Sequence, residues 1–340
     1  MVTTAQGEVA ARAEFRSPSG MWARFTSSGT LRRLEIDGLS ILLYPASELE
    51  PGPANIYLRV KGAPLDVLAI LGPQSGGRVQ WTAQGPVVSG QWHDLEYRAA
   101  FRLAEAVPAW FWLIEVTNRG SVALDVDLLY AQDVALAPYP AVRTNEYYVS
   151  QYLDLTPVQT EATGTAVAVR QNMPGATVPW VLLGCLREGV AWGTDILDLR
   201  PDRCSGDPPP GLLTDRLPSA RLQQEHTLVL LQERSSRLES GGQVRSGLFG
   251  IYERNHPAAT SASDAHYAAE ALRQLEAVAG DLAPTGSPDP VVPSLFAPAA
   301  LLQCRDLGDD ELRELVGDAW RHVESDEHSR LSLFTDDGTH

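Results

Sequence analysis

The sequence predicts a mainly β protein: a large antiparallel β-supersandwich with a few C-terminal helices. Three observations carry this. Short apolar runs with period-two alternation recur throughout the first 255 or so residues. Gly and Pro clusters (SPSG, EPGPA, GPQSGG, QGP) separate them at intervals suited to tight turns. Helical periodicity appears only after about residue 260. Many strands and few helices before that point argue for packed antiparallel sheets.

The clearest strand is WFWLIEVTN, Trp110 to Asn118. Trp110, Trp112, Ile114 and Val116 share one face, and Glu115 and Thr117 point the other way. After the turn signal NRGS comes VALDVDLLY. Here Val122, Leu124, Val126 and Leu128 are expected to face inward, with Asp125 and Asp127 outward. The two runs predict a hairpin across that turn. Further strands are expected at ANIYLRV, LEYRAAFRL, AVAVRQN, WVLLGCL, HTLVLLQ and SGLFGIY. SGDPPPG, Ser205 to Gly211, reads as a stiff loop within the β region.

In SASDAHYAAEALRQLEAVAG, residues Ala268, Ala271, Leu272, Leu275 and Val278 line one helical face. Ser263 is the expected N-cap and Gly280 the expected stop. APTGSPDPVVP, Ala283 to Pro293, reads as a linker. DDELRELVGDAWRHVES predicts a second amphipathic helix, with Leu312, Leu315, Val316, Ala319 and Val323 on one side. Leu331 to Phe334 reads as a strand before the turn TDDG, and its partner strand is expected to lie beyond His340, as part of a longer chain. The division expected is residues 1–280 as the sandwich and 281–340 as linker and helix.

Of the 340 residues, 44% are hydrophobic and 21% charged, a composition able to bury a core. The formal net charge of −16 repels phosphate backbones and argues against a nucleic-acid partner. No apolar run approaches the length of a spanning helix or a signal peptide, so no membrane partner is expected. Cys185, Cys204 and Cys304 are few and far apart, as reduced thiols of a cytoplasmic protein would be.

Motifs with strong chemical meaning are absent. There is no GxGxxG opening a helix, no GxxxxGK[ST], no HExxH, no CxxC and no GxSxG. His322 and His328, six apart, read as surface histidines. The unusual stretch is RTNEYYVSQYLD, Arg143 to Asp154, which holds three tyrosines among amides and charged groups. Tyr rings stack on the C–H faces of a sugar, while Arg, Asn, Gln and carboxylates hydrogen-bond its hydroxyls. As a strand it would place Asn145, Tyr147 and Gln151 on one face, and Glu146, Tyr148, Tyr152 and Asp154 on the other. An edge strand whose tyrosines cover the core is the alternative. Trp22, Trp81, Trp92, Trp180 and Trp192 are stacking platforms or core residues. Glycoside hydrolysis needs two carboxylates across a bond. Glu115, Asp125, Asp127, Asp133, Glu146 and Asp154 are numerous enough, but their spacing does not pair them.

LLYAQDVALA, Leu128 to Ala137, followed by VRTNEYYVSQYLD, resembles the N-terminal β-sandwich of bacterial carbohydrate phosphorylases of glycoside hydrolase family 94. The branch is that of 1,2-β-oligoglucan phosphorylases and the phosphorylase part of cyclic β-1,2-glucan synthases. NIYLR at Asn55, LGPQS at Leu71, FGIYERNHPAATS at Phe249 and the closing WRHVESDEHSRLSLFTDDGTH agree with it, in order. Leu155 stands where the family usually has a histidine.

The resemblance implies a supersandwich, a helical linker and an (α/α)6 barrel that carries the catalytic aspartate. That barrel is missing from these 340 residues. It implies inverting phosphorolysis of a β-glucan oligosaccharide, with inorganic phosphate as co-substrate, no other cofactor, and α-glucose 1-phosphate as product. No catalytic residue and no metal ligand is assigned in this chain. Arg143, Asn145, Glu146, Tyr148, Gln151, Tyr152 and Asp154, with Gln132 and Asp133 of the same block, become candidates for contact with saccharide or barrel. The implied partners are that barrel, in cis or as a separate chain, and a second copy in a homodimer. A stand-alone carbohydrate-binding module and an independent glycoside hydrolase remain alternatives.

Overall fold

The computed structural model describes residues 13–199, 210–222, 227–280, 282, 308–316, 320–325 and 330–335. The linker Ala283–Pro293, most of the Ser205–Gly211 loop, Cys204, Cys304 and His328 lie outside these residues. The described residues up to 282 belong to one compact unit and those from 308 onward to another.

In chain order, four short strands come first: β1 (Glu14–Arg16), β2 (Trp22–Phe25), β3 (Leu31–Ile36) and β4 (Leu39–Ser40). Then follow β5 (Asn55–Val60), β6 (Asp66–Ala69), β7 (Arg78–Thr82), β8 (Gly85–Trp92), β9 (Leu95–Leu103), β10 (Ala109–Asn118), β11 (Leu124–Gln132) and β12 (Ala137–Pro138). Two six-residue helices interrupt the strands, α1 (Tyr139–Thr144) and α2 (Glu146–Gln151). The β region resumes with β13 (Leu153–Thr160), β14 (Gly164–Gln171), β15 (Trp180–Cys185), β16 (Gly189–Asp195), β17 (Thr227–Glu233), β18 (Ser236–Leu238) and β19 (Gln243–Glu253). Helix α3 (His266–Val278) follows in the same unit. The second unit holds α4 (Asp309–Val316), β20 (Trp320–Ser325) and β21 (Arg330–Thr335).

The protein is mainly β, as the alternation predicts, and each strand run named from the sequence forms a strand. A five-stranded sheet, β1-β2-β3-β4-β12, packs on a fourteen-stranded sheet. The large sheet runs β6-β5-β11-β17-β16-β14-β15-β19-β10-β9-β8-β7, with β13 on β14 and β18 on β11. Among the described residues pairing is antiparallel except for a single parallel bridge, Gly164 to Gly189. The main core lies between the sheets, where Phe25, Leu34, Phe101, Trp110, Trp112 and Tyr130 meet. Phe25, Phe101 and Trp112 pack edge to face at 5.0–6.2 Å. Each large aromatic buries about 150–250 Å², on the order of 4–6 kcal/mol of hydrophobic stabilisation. That exceeds the roughly 1 kcal/mol net of one hydrogen bond, so packing of these rings sets the layer spacing. The outer face of the large sheet is covered in part by α3, whose Ala268, Ala271 and Val278 meet Phe111, Leu182 and Phe249. Ser261, rather than Ser263, begins the helical segment through a reciprocal capping box with Asp264.

Several expectations are corrected. β10 and β11 do not form a hairpin. β10 lies between β9 and β19, and β11 between β5 and β17. Both faces of β10 are buried, so it is a central strand with both edges satisfied by β9 and β19. Val122 is exposed at 66%, and Asp127 is buried rather than facing outward. Asp127 is held inside because Arg59 meets it with a two-toothed pair at 2.6 and 2.7 Å. The predicted late helix ends at Val316, ahead of a glycine in the sequence, and Trp320–Ser325 is a strand. That strand precedes β21 and pairs with it, so Leu331–Phe334 has a partner strand within these residues. The polar-aromatic ribbon is helical, not extended.

Candidate functional site

The ribbon becomes two single helical turns for local reasons. Pro140 occupies the first turn of α1, where a missing N–H costs nothing. Asn145 ends α1 and caps α2, its side chain accepting the Tyr148 N–H at 3.0 Å. Glu146 places a carboxylate in the first turn of α2. The inner sides bury Val142 and Val149 against Leu43, Ala135 and Ala137. From β14, Gln171 donates Nε2–H to the carbonyls of Ala135 (2.9 Å) and Val149 (3.3 Å). Its Oε1 accepts the Met173 N–H at 3.0 Å. One amide therefore ties α2, the chain before α1 and the end of β14 together.

Beneath lies a buried polar support. Asp133 accepts the backbone N–H groups of Leu43 (2.7 Å) and Tyr44 (2.5 Å). Gln132 donates to the Asp133 carbonyl at 2.9 Å and accepts the Tyr130 hydroxyl at 2.5 Å. Burial pushes the Asp133 carboxyl up to about 6, against the opposing pull of the Tyr44 and Leu43 N–H groups. Gln132 and Asp133 are both 0% exposed, so they position the surface from within and do not line it.

The outer face gathers Arg143, Asn145, Tyr147, Tyr148 and Gln151, all exposed, with Glu146, Tyr152 and Asp154 half-buried at its edge. Helical spacing decides the neighbours. Tyr148 and Tyr152, four apart, pack edge to face at 5.0 Å, and the Tyr152 hydroxyl donates to that of Tyr148 at 3.1 Å. That bond raises the Tyr152 phenol above its ordinary range. Asp154, on β13, is paired with Arg221. Leu155, where a histidine was expected by resemblance, is a core residue. Tyr147, read in the ribbon, joins the exposed surface. One contact was missed in the sequence: Tyr139 carries the Arg33 guanidinium over its ring at 4.1 Å. Arg33 also lies over Trp22 at 5.5 Å, which links α1 to the small sheet. The proximity of Tyr139 to the ribbon in YPAVRTNEYY was the available signal.

The remaining candidates are occupied elsewhere. Glu115 lies between Arg245 (2.9 Å) and Arg98 (3.4 Å), and Asp125 pairs with Arg237 at 3.1 Å. Glu233, not singled out from sequence, is buried beside Arg187 (3.0 Å) and Ser246, and burial pushes it up to about 7. Trp180 is core, stacked on His256 at 5.0 Å, whereas Trp22, Trp81, Trp92 and Trp192 are half-buried. Among the described residues no group of three or more His, Cys, Asp or Glu side chains could hold a metal. The surface offers aromatic C–H stacking, amide and guanidinium donors and, at its edge, the carboxylates of Glu146 and Asp154. It presents no adjacent acid and nucleophile.

Fold and site together define a β-supersandwich domain with a small helical insert that displays a polar-aromatic face. The chain belongs to the SOGP N-terminal domain family, whose model matches residues 24–250. A 1,2-beta-oligoglucan phosphorylase of Listeria innocua serovar 6a is 32% identical over 179 residues, 52% of this chain and 16% of that protein. The chain thus spans under a fifth of this relative, and the matched segment is a phosphorylase-related region. The resemblance to the N-terminal sandwich of carbohydrate phosphorylases is borne out. Looser likenesses reach a bacterial glucoamylase solved with acarbose (TM-score 0.47, 11% identity, 78% of this chain and 34% of that one). A putative kojibiose phosphorylase from the human microbiome follows (TM-score 0.39, 9% identity, 79% and 34%).

Proposed function

We propose that this chain is the non-catalytic N-terminal sandwich of a glycoside hydrolase family 94 phosphorylase acting on β-glucan, of the β-1,2 type, in the cytoplasm. The complete enzyme would cleave its substrate with inorganic phosphate and release α-glucose 1-phosphate. An acid on a helical barrel would protonate the leaving oxygen while phosphate attacks the anomeric carbon from the opposite face. The sandwich contributes recognition and assembly, within one enzyme or across a homodimer. One observation carries this reading: Arg143, Asn145, Tyr147, Tyr148 and Gln151 are held outward on a rigid base by Gln171 and the Val142–Val149 core. A face rich in tyrosine, amide and guanidinium is suited to a sugar chain or a polar domain surface.

Alanine at Tyr148, Gln151 and Tyr152, introduced into the enzyme with its catalytic barrel, tests this. The expected result is a KM raised about tenfold, or a shift in assembly state, equivalent to about 1.4 kcal/mol of lost contact. Unchanged KM and unchanged assembly together would overturn the role of this face. Release of reducing sugar by this chain alone without phosphate would overturn the phosphorylase reading.

A further inference from the structure

A groove of about 950 Å³ opens elsewhere in the sandwich unit, between β1, the β7–β8 turn, the end of β9 and the last turn of α3. Its size is that of a small-molecule site. On one wall Phe15 and Trp81 lie with nearly parallel rings, centroids 6.4 Å apart at 20°. Gln84, Gln274 and Glu105 bring amide and carboxylate groups to the other sides.

Arg102 lines the same groove and is only 4% exposed. Its Nη1 donates to the Phe101 carbonyl at 2.8 Å, and its buried Nε has no partner. No carboxylate pairs with it among the described residues. A buried guanidinium N–H without an acceptor is costly to a fold, and in a groove wall a ligand hydroxyl can supply that acceptor. The backbone makes room for it. Gly85 sits at φ +144°, and a Cβ there would come within 2.2 Å of the Phe101 oxygen and 3.6 Å of Arg102 Nη1.

We infer that this groove is a second saccharide-binding site, in which Trp81 and Phe15 offer an apolar face to a pyranose ring and Arg102, Gln84 and Gln274 hydrogen-bond its hydroxyls. A neutral ligand is favoured over an anion because Glu14 and Glu105 in the wall offset Arg16 and Arg102, and the chain carries a formal charge of −16. The site rests on its own residues, and only the choice of a β-1,2-linked probe rests on the proposed function.

The experiment uses the full 340-residue chain carrying Tyr148→Ala and Gln151→Ala, which removes the helical face from the reading. A β-1,2-glucopentaose and a cellopentaose are titrated calorimetrically, with inorganic phosphate as the anion control. Saccharide binding is expected in this background, weakened about 10- to 100-fold by Arg102→Gln or Trp81→Ala. Thermal melts of both variants confirm that they fold. Binding of cellopentaose but not the β-1,2 glucan keeps the groove and sinks the β-1,2 assignment. No saccharide binding, binding unaffected by both substitutions, or binding of phosphate alone lost in Arg102→Gln overturns the inference.

Discussion

Asp133 and Glu233 hold protons inside the folded protein to higher pH than they would in the unfolded chain, because burial disfavours their charged forms. The native state therefore binds more protons across the interval between the ordinary and raised values. Their stabilising contribution is complete below about pH 4, falls as the pH rises through about 6 and 7, and is flat above. Each group accounts for on the order of 3 kcal/mol across that interval. Combining Asp133→Asn with Glu233→Gln is expected to flatten urea-denaturation stability between about pH 4 and 7, and an unchanged slope would show that other groups set it. Asp133→Ala is different, because two buried N–H groups lose their acceptor at about 1–3 kcal/mol each, and thermal melting reads that loss at any pH. Neither assignment was legible in the sequence. QD in LLYAQDVALA marks a family segment, but burial of a carboxylate depends on which distant backbone groups meet it.

Helices α1 and α2 depend on few anchors. Asn145→Ala is expected to cost about 1 kcal/mol through loss of the cap. Gln171→Ala leaves the Ala135 carbonyl without its donor, at about 1–3 kcal/mol, and removes the side-chain tie from β14 to Val149, whose carbonyl keeps the Tyr152 N–H. Hydrogen exchange resolved over residues 139–152 checks both. Protection is expected to fall there while β10 and β19 keep theirs, and a uniform fall would instead mean that the insert and the sandwich unfold as one unit. The ribbon's composition was readable and its conformation was not. Read with period two it gave alternating faces, whereas Pro140 and the Asn145 cap favour short turns whose stability comes from Val142 and Val149 packing beneath. β10 and β11 teach the same lesson. Alternation identified each strand correctly, yet a short turn between two strands does not require that they pair.

Across the molecule, the 14-stranded sheet makes contact between residues far apart in sequence the main source of cohesion. Arg59 shows this. It joins Asp127 on the neighbouring strand and donates to the carbonyls of Leu212, Thr214 and Asp215, so the 212–215 segment is tied to the sheet. Asp127→Ala leaves that guanidinium buried without its partner and is expected to cost about 3–5 kcal/mol, measured by chemical denaturation. Cys185 reports on the whole sandwich, since it is 0% exposed on β15 and burial raises its thiol well above the ordinary range. In a Cys204→Ser/Cys304→Ser background, its labelling by a thiol reagent is expected to follow global unfolding. Rapid labelling under native conditions would mean that β15 opens locally.

The sequence by itself determined the mainly β class, the location of the main alternating strands and of α3, the family and the unusual chemistry of the ribbon. These are encoded locally, in side-chain period, turn residues and composition. Only the tertiary structure decided that β10 and β11 lie apart, that Gln132 and Asp133 support the surface from beneath, and that Arg102 and Trp81 share a groove. Each of those depends on pairing between segments tens of residues apart, where the free energy comes from burying two surfaces together and neither segment carries the information alone.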